Sequence, residues 1–167
     1  HTFSKSSCGF ASGDFLNAFS VKIVASNPCN ASSVTVAPIY VSTKPEAKMS
    51  VSRKVSCINK EITFSDKSKN GSVVKNNTCD ASRKRNWTIT PATGWTVISG
   101  TLGENPPSKN PADWGSESLK IAFNTPGKYT VRLITGNDCG DDFIEEEICV
   151  NPLPVANFDL DQLKGCA

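Results

Sequence analysis

One stretch of this sequence occurs twice, and a chain that repeats itself is restricted to folds made from copies of one unit. Phe19-Ser20-Val21-Lys22-Ile23-Val24-Ala25-Ser26-Asn27-Pro28-Cys29 matches Tyr129-Thr130-Val131-Arg132-Leu133-Ile134-Thr135-Gly136-Asn137-Asp138-Cys139 at a spacing of 110 residues. Ile39-Tyr40-Val41, Pro45, Ala47 and Cys57 then match Ile148-Cys149-Val150, Pro154, Ala156 and Cys166 at a spacing of 109. The one-residue slip is expected in the polar hairpin after the first cysteine, where an insertion costs little. A match over about 40 positions with a single slip reads as internal duplication.

The period divides the chain. Residues 1–43 read as the closing part of one repeat, 44–152 as a complete repeat, and 153–167 as the start of the next. The complete repeat is long enough for its own core, whereas 1–43 alone is not. The chain therefore reads as an excerpt of a longer one, and His1 as a tag remnant. Ser42-Thr43-Lys44-Pro45, echoed by Asn151-Pro152-Leu153-Pro154, is a linker short enough to leave successive units semi-rigid.

The repeated stretch itself specifies strands. Tyr129, Val131 and Leu133 alternate with Lys128, Thr130 and Arg132, so one face is apolar and the other wet. Pro126-Gly127 marks a turn before it, Gly136-Asn137-Asp138 supplies one after it, and a second strand runs over 144–150. The same reasoning predicts strands at about 17–26, 33–41, 47–52, 61–66, 86–90, 94–102 and 118–123. Met49 and Val51 share one face, Trp87 and Ile89 point inward, and so do Trp95 with Val97 or Ile98. Residues 67–85, with Asn70-Gly71, and 103–115 read as long loops. No segment carries a 3.6-residue period. About seven short strands in the complete repeat, without a helix, make an all-β, immunoglobulin-like antiparallel sandwich, with Trp87 in its core.

Composition excludes several partners. Eighteen basic against 16 acidic residues leave a formal charge of +2, which gives no electrostatic case for nucleic acid or an anionic membrane. Arg83-Lys84-Arg85 reads as a solvated loop flank. No apolar segment approaches membrane-spanning length and no signal peptide opens the chain, so an export signal or anchor is expected outside it. Seven cysteines with no Cys-x-x-Cys, and one histidine at position 1, favour disulfides in an oxidising compartment over a zinc site.

The complete unit resembles a PKD domain, an immunoglobulin-like module of extracellular bacterial proteins. The carrying residues are Trp87-Thr88-Ile89, Phe123-Asn124-Thr125-Pro126-Gly127-Lys128-Tyr129-Thr130-Val131, Asn137-Asp138-Cys139-Gly140 and Ile148-Cys149-Val150 with Pro152, Pro154 and Ala156. The Asn-x-Cys flavour, with a cysteine at the head of the next unit (Cys57, Cys166), is similar to the tandem arrays of Bacteroidota surface proteins, of which the flavobacterial gliding-motility adhesins exported by type IX secretion are an example. The family's Gly-Asp-Gly turn after the core tryptophan is absent; Thr90-Pro91-Ala92-Thr93-Gly94 stands there, so nothing tied to that turn carries over. The resemblance implies an extracellular spacer and adhesion role.

Catalysis has little to stand on. No second histidine can serve a nucleophile, and the carboxylates cluster on one hairpin instead of facing each other across a cleft. The chain is expected to be non-catalytic and to need no cofactor. Calcium is the one metal considered, on Asn137, Asp138, Asp141 and Asp142; the first copy, with Asn27-Pro28-Cys29-Asn30, lacks those carboxylates. For the cysteines, the first choice is Cys57–Cys139, on the reasoning that the first strand and the last hairpin share one end of such a sandwich. Cys29 and Cys166 would then bond outside this sequence. Cys8–Cys79 across two units and Cys79–Cys139 within one remain open. Trp95 and Trp114 could stack on sugars, but read first as core-edge packing.

The leading expectation is a structural and adhesive repeat of a large cell-surface protein, its partners neighbouring repeats, surface polysaccharide or other surface proteins. A carbohydrate-binding accessory module of a secreted hydrolase is the alternative, and a calcium-stiffened linker the third reading.

Overall fold

A computed structural model describes residues 2–105 and 110–159. The chain opens with two short paired strands, β1 (Ala11–Ser12) and β2 (Phe15–Leu16), followed by a long hairpin of β3 (Phe19–Ser26) and β4 (Ala31–Ile39). The remaining strands are β5 (Met49–Val51), β6 (Val55–Cys57), β7 (Glu61–Asp66), β8 (Val73–Lys75), β9 (Thr78–Asp80), β10 (Lys84–Thr90), β11 (Trp95–Ser99), β12 (Ser118–Phe123), β13 (Gly127–Asn137) and β14 (Gly140–Asn151).

Eight of these strands make two four-stranded sheets, ordered β11-β12-β7-β5 and β10-β13-β14-β6. All pairs are antiparallel except β14–β6, which is parallel. That is the immunoglobulin order, with the first strand split between the two sheets. Tyr129 adds the corner seen in such sandwiches: its hydroxyl donates to Thr125 O at 2.9 Å and lies 3.1 Å from Gly94 O.

Alternation along each strand builds the core. Ile62 and Phe64 of β7, Leu119 and Ile121 of β12, and Val131 and Leu133 of β13 are fully buried. Trp87 is 1% exposed, sits 6.4 Å from Phe64, and donates its indole N–H to Ser116 O at 2.9 Å. Gly115 lets the chain pass close over that indole; a Cβ there would lie 2.8 Å from Trp87 Cδ1. The wet face of β13–β14 carries cross-strand pairs, with Arg132 Nε on Glu145 at 2.7 Å and its guanidinium 4.4 Å from the Phe143 ring centroid.

Several expectations change in detail. Residues 67–85 contain the β8–β9 hairpin and the start of β10, not one loop. Its turn is Asn76-Asn77, both at positive φ (48° and 60°), as a two-residue hairpin turn requires. Three-residue strands are too short to show an alternation, which is why the pattern missed them. Gly136 and Asn137 continue β13 instead of turning; the turn is Asp138-Cys139, between the Asn137 and Gly140 pair. Val97 packs against the core, and Ile98 is 47% exposed.

The two repeated hairpins share a register. Val21 pairs Val36 where Val131 pairs Glu146, and Phe19 pairs Ile39 where Tyr129 pairs Ile148. The 110-residue spacing therefore runs through the tip and back along β4 to Val36. The extra residue sits in a bulge at Ala37-Pro38, not in the hairpin tip as expected. The tips match as well: Asn27 Oδ1 accepts from Cys29 N, and Asn137 Oδ1 accepts from Cys139 N, both at 2.9 Å. The surroundings differ. Val131 and Leu133 are fully buried, whereas Val21 is 39% and Ile23 56% exposed.

Candidate functional site

A dense set of long-range polar contacts lies where residues 2–47 meet the sandwich. Cys8 and Cys79 form a disulfide that joins the β1 approach to β9, 71 positions apart in sequence. Asn77, in the β8–β9 turn, accepts from Asn17 Nδ2 at its carbonyl (2.5 Å) and from the Tyr40 hydroxyl at Oδ1 (2.8 Å). Val74 N donates to Ser42 Oγ at 2.9 Å. Thr43 and Ser72 exchange backbone bonds, and so do Glu46 and Lys69. The segment expected as a linker is thus zipped along residues 69–74. Gly71 makes this approach possible, because a Cβ there would overlap Thr43 O and crowd Asn137 Nδ2.

The tip of β13–β14 closes the same joint from the other side. Asn137, 8% exposed, donates from Nδ2 to Thr43 O at 2.9 Å. Asp142 accepts from Ala47 N at 2.8 Å and pairs with Lys44 Nζ at 3.3 Å. The Ala47 N–H, and secondarily Lys44, hold the Asp142 carboxyl below the usual carboxylate range. Asp138 pairs with Lys75 at 2.7 Å and faces Lys84 at 3.9 Å. That hydrogen bond from Lys75 to Asp138 raises the lysine above its ordinary value.

Between β8–β9, the start of β10 and the β13–β14 tip lies a half-open cleft of about 210 Å³. Val73, Gly136 and Trp114 line it together with the polar Lys75, Asp80, Lys84 and Asp138. Asp80 accepts from Ser82 N at 2.8 Å, and this contact with Ser82 keeps its carboxyl below the usual range.

The structure separates Cys57 from Cys139. Cys57 pairs with Asn151 at the end of β14, and Cys139 precedes its start. Twelve strand residues at about 3.4 Å each put them roughly 40 Å apart. The Cys57–Cys139 choice is therefore corrected: the split first strand runs parallel to β14, so its cysteine lies at the end opposite the hairpin tip. Cys79–Cys139 is displaced because Cys79 bonds Cys8. Among the described residues Cys29, Cys57, Cys139 and Cys149 are free thiols. Cys166 lies outside the described residues.

The proposed calcium set does not converge. Asn137 and Asp142 face the linker, Asp138 faces Lys75, and Asp141 Oδ1 lies against Gly136. Among the described residues no group of three or more His, Cys, Asp or Glu could hold a metal ion. The Glu145–Glu147 run is paired residue by residue with Arg132, Lys54 and Lys128.

Trp95 packs half-buried on the core and donates to Pro91 O at 2.9 Å, near the Thr90 end of β10. Trp114 stands at the other end, by Lys84, so the two do not form one aromatic row. The basic run is corrected too. Arg83 and Arg85 fold onto Asp66, whose side chain is fully buried, at 2.5 and 3.4 Å; Arg85 also reaches Glu117 at 3.2 Å. A strand-end carboxylate inside the sandwich draws in both guanidinium groups, which alternation alone could not show.

No family model matches this sequence, and no curated protein matches it. Among solved structures, the chain is similar to domains 4 and 5 of the S-layer protein SbsC, at 11% identity and a TM-score of 0.39. The match covers 80% of this chain and 58% of that one, so the chain spans less than two thirds of its neighbour's length.

Proposed function

We propose that this chain is a non-catalytic structural and adhesive segment of a large extracellular cell-surface protein, made of tandem sandwich units of the PKD type. Residues 1–43 are the closing part of one unit, 44–152 a complete unit, and 153–167 the start of the next. The observation that carries the reading is the joint. A covalent bridge, two pairs of backbone bonds and a set of side-chain bonds hold the linker against the following unit. Such a joint resists bending and pulling, as an extended surface protein needs. The exposed apolar residues of β3–β4 support the tandem reading. The counterparts of Val21 and Ile23, Val131 and Leu133, are fully buried in the core that β7 and β12 share, and that of Val34, Ile144, packs against it; an equivalent sheet of the preceding unit would cover Val21, Ile23 and Val34.

The finer assignment, to an adhesin of the gliding-motility kind exported by type IX secretion, rests on the Asn-x-Cys tip and the cysteine at the head of the next unit, Cys57 and Cys166. Its partners are then neighbouring units and surface polysaccharide or other surface proteins. An antibody against residues 44–152 should label intact cells of the source organism. Labelling that requires permeabilisation would overturn the reading.

A further inference from the structure

The cleft beside the joint contributes to it only the exposed Lys75–Asp138 ion pair, a contact worth little in water. Asp138 occupies the place that Pro28 holds in the first copy, and both tips adopt the same asparagine-capped turn. The turn therefore does not require a carboxylate there. Lys75 lies beyond the backbone bonds that zip residues 69–74, and Asp80 follows the bridged Cys79. Lys75, Asp80 and Asp138 thus gather at one cleft on a hairpin and a turn whose backbone geometry does not require those side chains.

Their chemistry is specific. Lys75 and Lys84 balance Asp80 and Asp138, so the cleft has no net charge to attract a polyanion or a polycation. Its rim offers ammonium donors and carboxylate acceptors side by side, the pairing that vicinal hydroxyls satisfy. Trp114 offers an aromatic flank for the C–H face of a ring. A volume of about 210 Å³ is below the roughly 300 Å³ at which drug-sized pockets begin. It suits one ring of a chain lying across the surface. The disulfide at Cys79 and the Lys84 side chain, only 18% exposed, fix two of its walls in advance.

We infer that this cleft binds one pyranose ring of an uncharged polysaccharide, stacked on Trp114 and hydrogen-bonded by Lys75, Asp80 and Asp138. The inference does not depend on the chain being a repeat array. The test titrates the intact 167-residue chain with cellohexaose, mannohexaose, xylohexaose and chitohexaose, read by amide chemical shifts. At least one should saturate near about 1 mM, with shifts at Lys75, Asp80, Trp114 and Asp138. Asp138→Ala and Trp114→Ala should each weaken binding at least about tenfold, while Trp95→Ala, at the far end, leaves it unchanged. Asp138→Ala stands as the deciding variant if Trp114→Ala lowers the melting temperature. The inference is overturned if none of the four saturates, or if binding survives Asp138→Ala. A response to heparin alone that disappears by about 0.15 M salt would overturn it as well.

Discussion

Asp66 shows how one residue seals an end of the sandwich. It ends β7, its side chain is fully buried, and it holds Arg83 and Arg85 against the sheet edge. A buried carboxylate is tolerable only while its partners stay, and removing one side of such a cluster leaves uncompensated charge. Asp66→Asn should therefore destabilise the fold by about 3–5 kcal/mol, read as a lower urea midpoint at unchanged slope. A loss below about 1 kcal/mol would mean that the arginines re-solvate freely.

At the scale of elements, the β8–β9 hairpin is the piece whose stability is borrowed. Among the described residues its two strands pair only with each other, and a lone two-stranded hairpin is marginal in water. Its anchors are Cys8, Asn17, Tyr40, Ser42 and Thr43 from the preceding segment, with the exposed Lys75–Asp138 pair as a weak tie to the sandwich. Cross-linking across 71 positions contributes about 4 kcal/mol by the chain-entropy relation. Cys79→Ser, or reduction, should thus speed amide exchange at 73–80 by orders of magnitude while β13 and β14 keep their protection. Equal loss of protection throughout would show that the hairpin is integral to the sandwich.

For the whole molecule, among the described residues both four-stranded sheets and the core between them draw only on residues 49–151. The first hairpin leaves Ile23, Val24, Val34 and Val36 more than half exposed. Residues 44–159 expressed alone should fold cooperatively and bind less of a hydrophobic dye than the full chain, whereas residues 1–43 alone should show no cooperative melt. Failure of 44–159 to fold would make the preceding segment part of one core, against the division at the linker.

What the sequence determined by itself was periodic and local. Alternation placed Ile62, Phe64, Leu119, Ile121, Val131 and Leu133 on inner faces, and the duplicated stretch revealed the two hairpins, because both signals are carried within a few residues of chain. Only the tertiary structure decided which cysteines meet, where the charges of 83–85 and 145–147 go, and that Lys75, Asp80, Trp114 and Asp138 share one cleft. Those outcomes depend on which strand ends the topology brings together. The parallel run of β6 along β14 sends Cys57 to one end and leaves Cys139 at the other, while the β8–β9 hairpin reaches back to Cys8. Side-chain pattern fixes which face a residue occupies, and strand order fixes what it finds there.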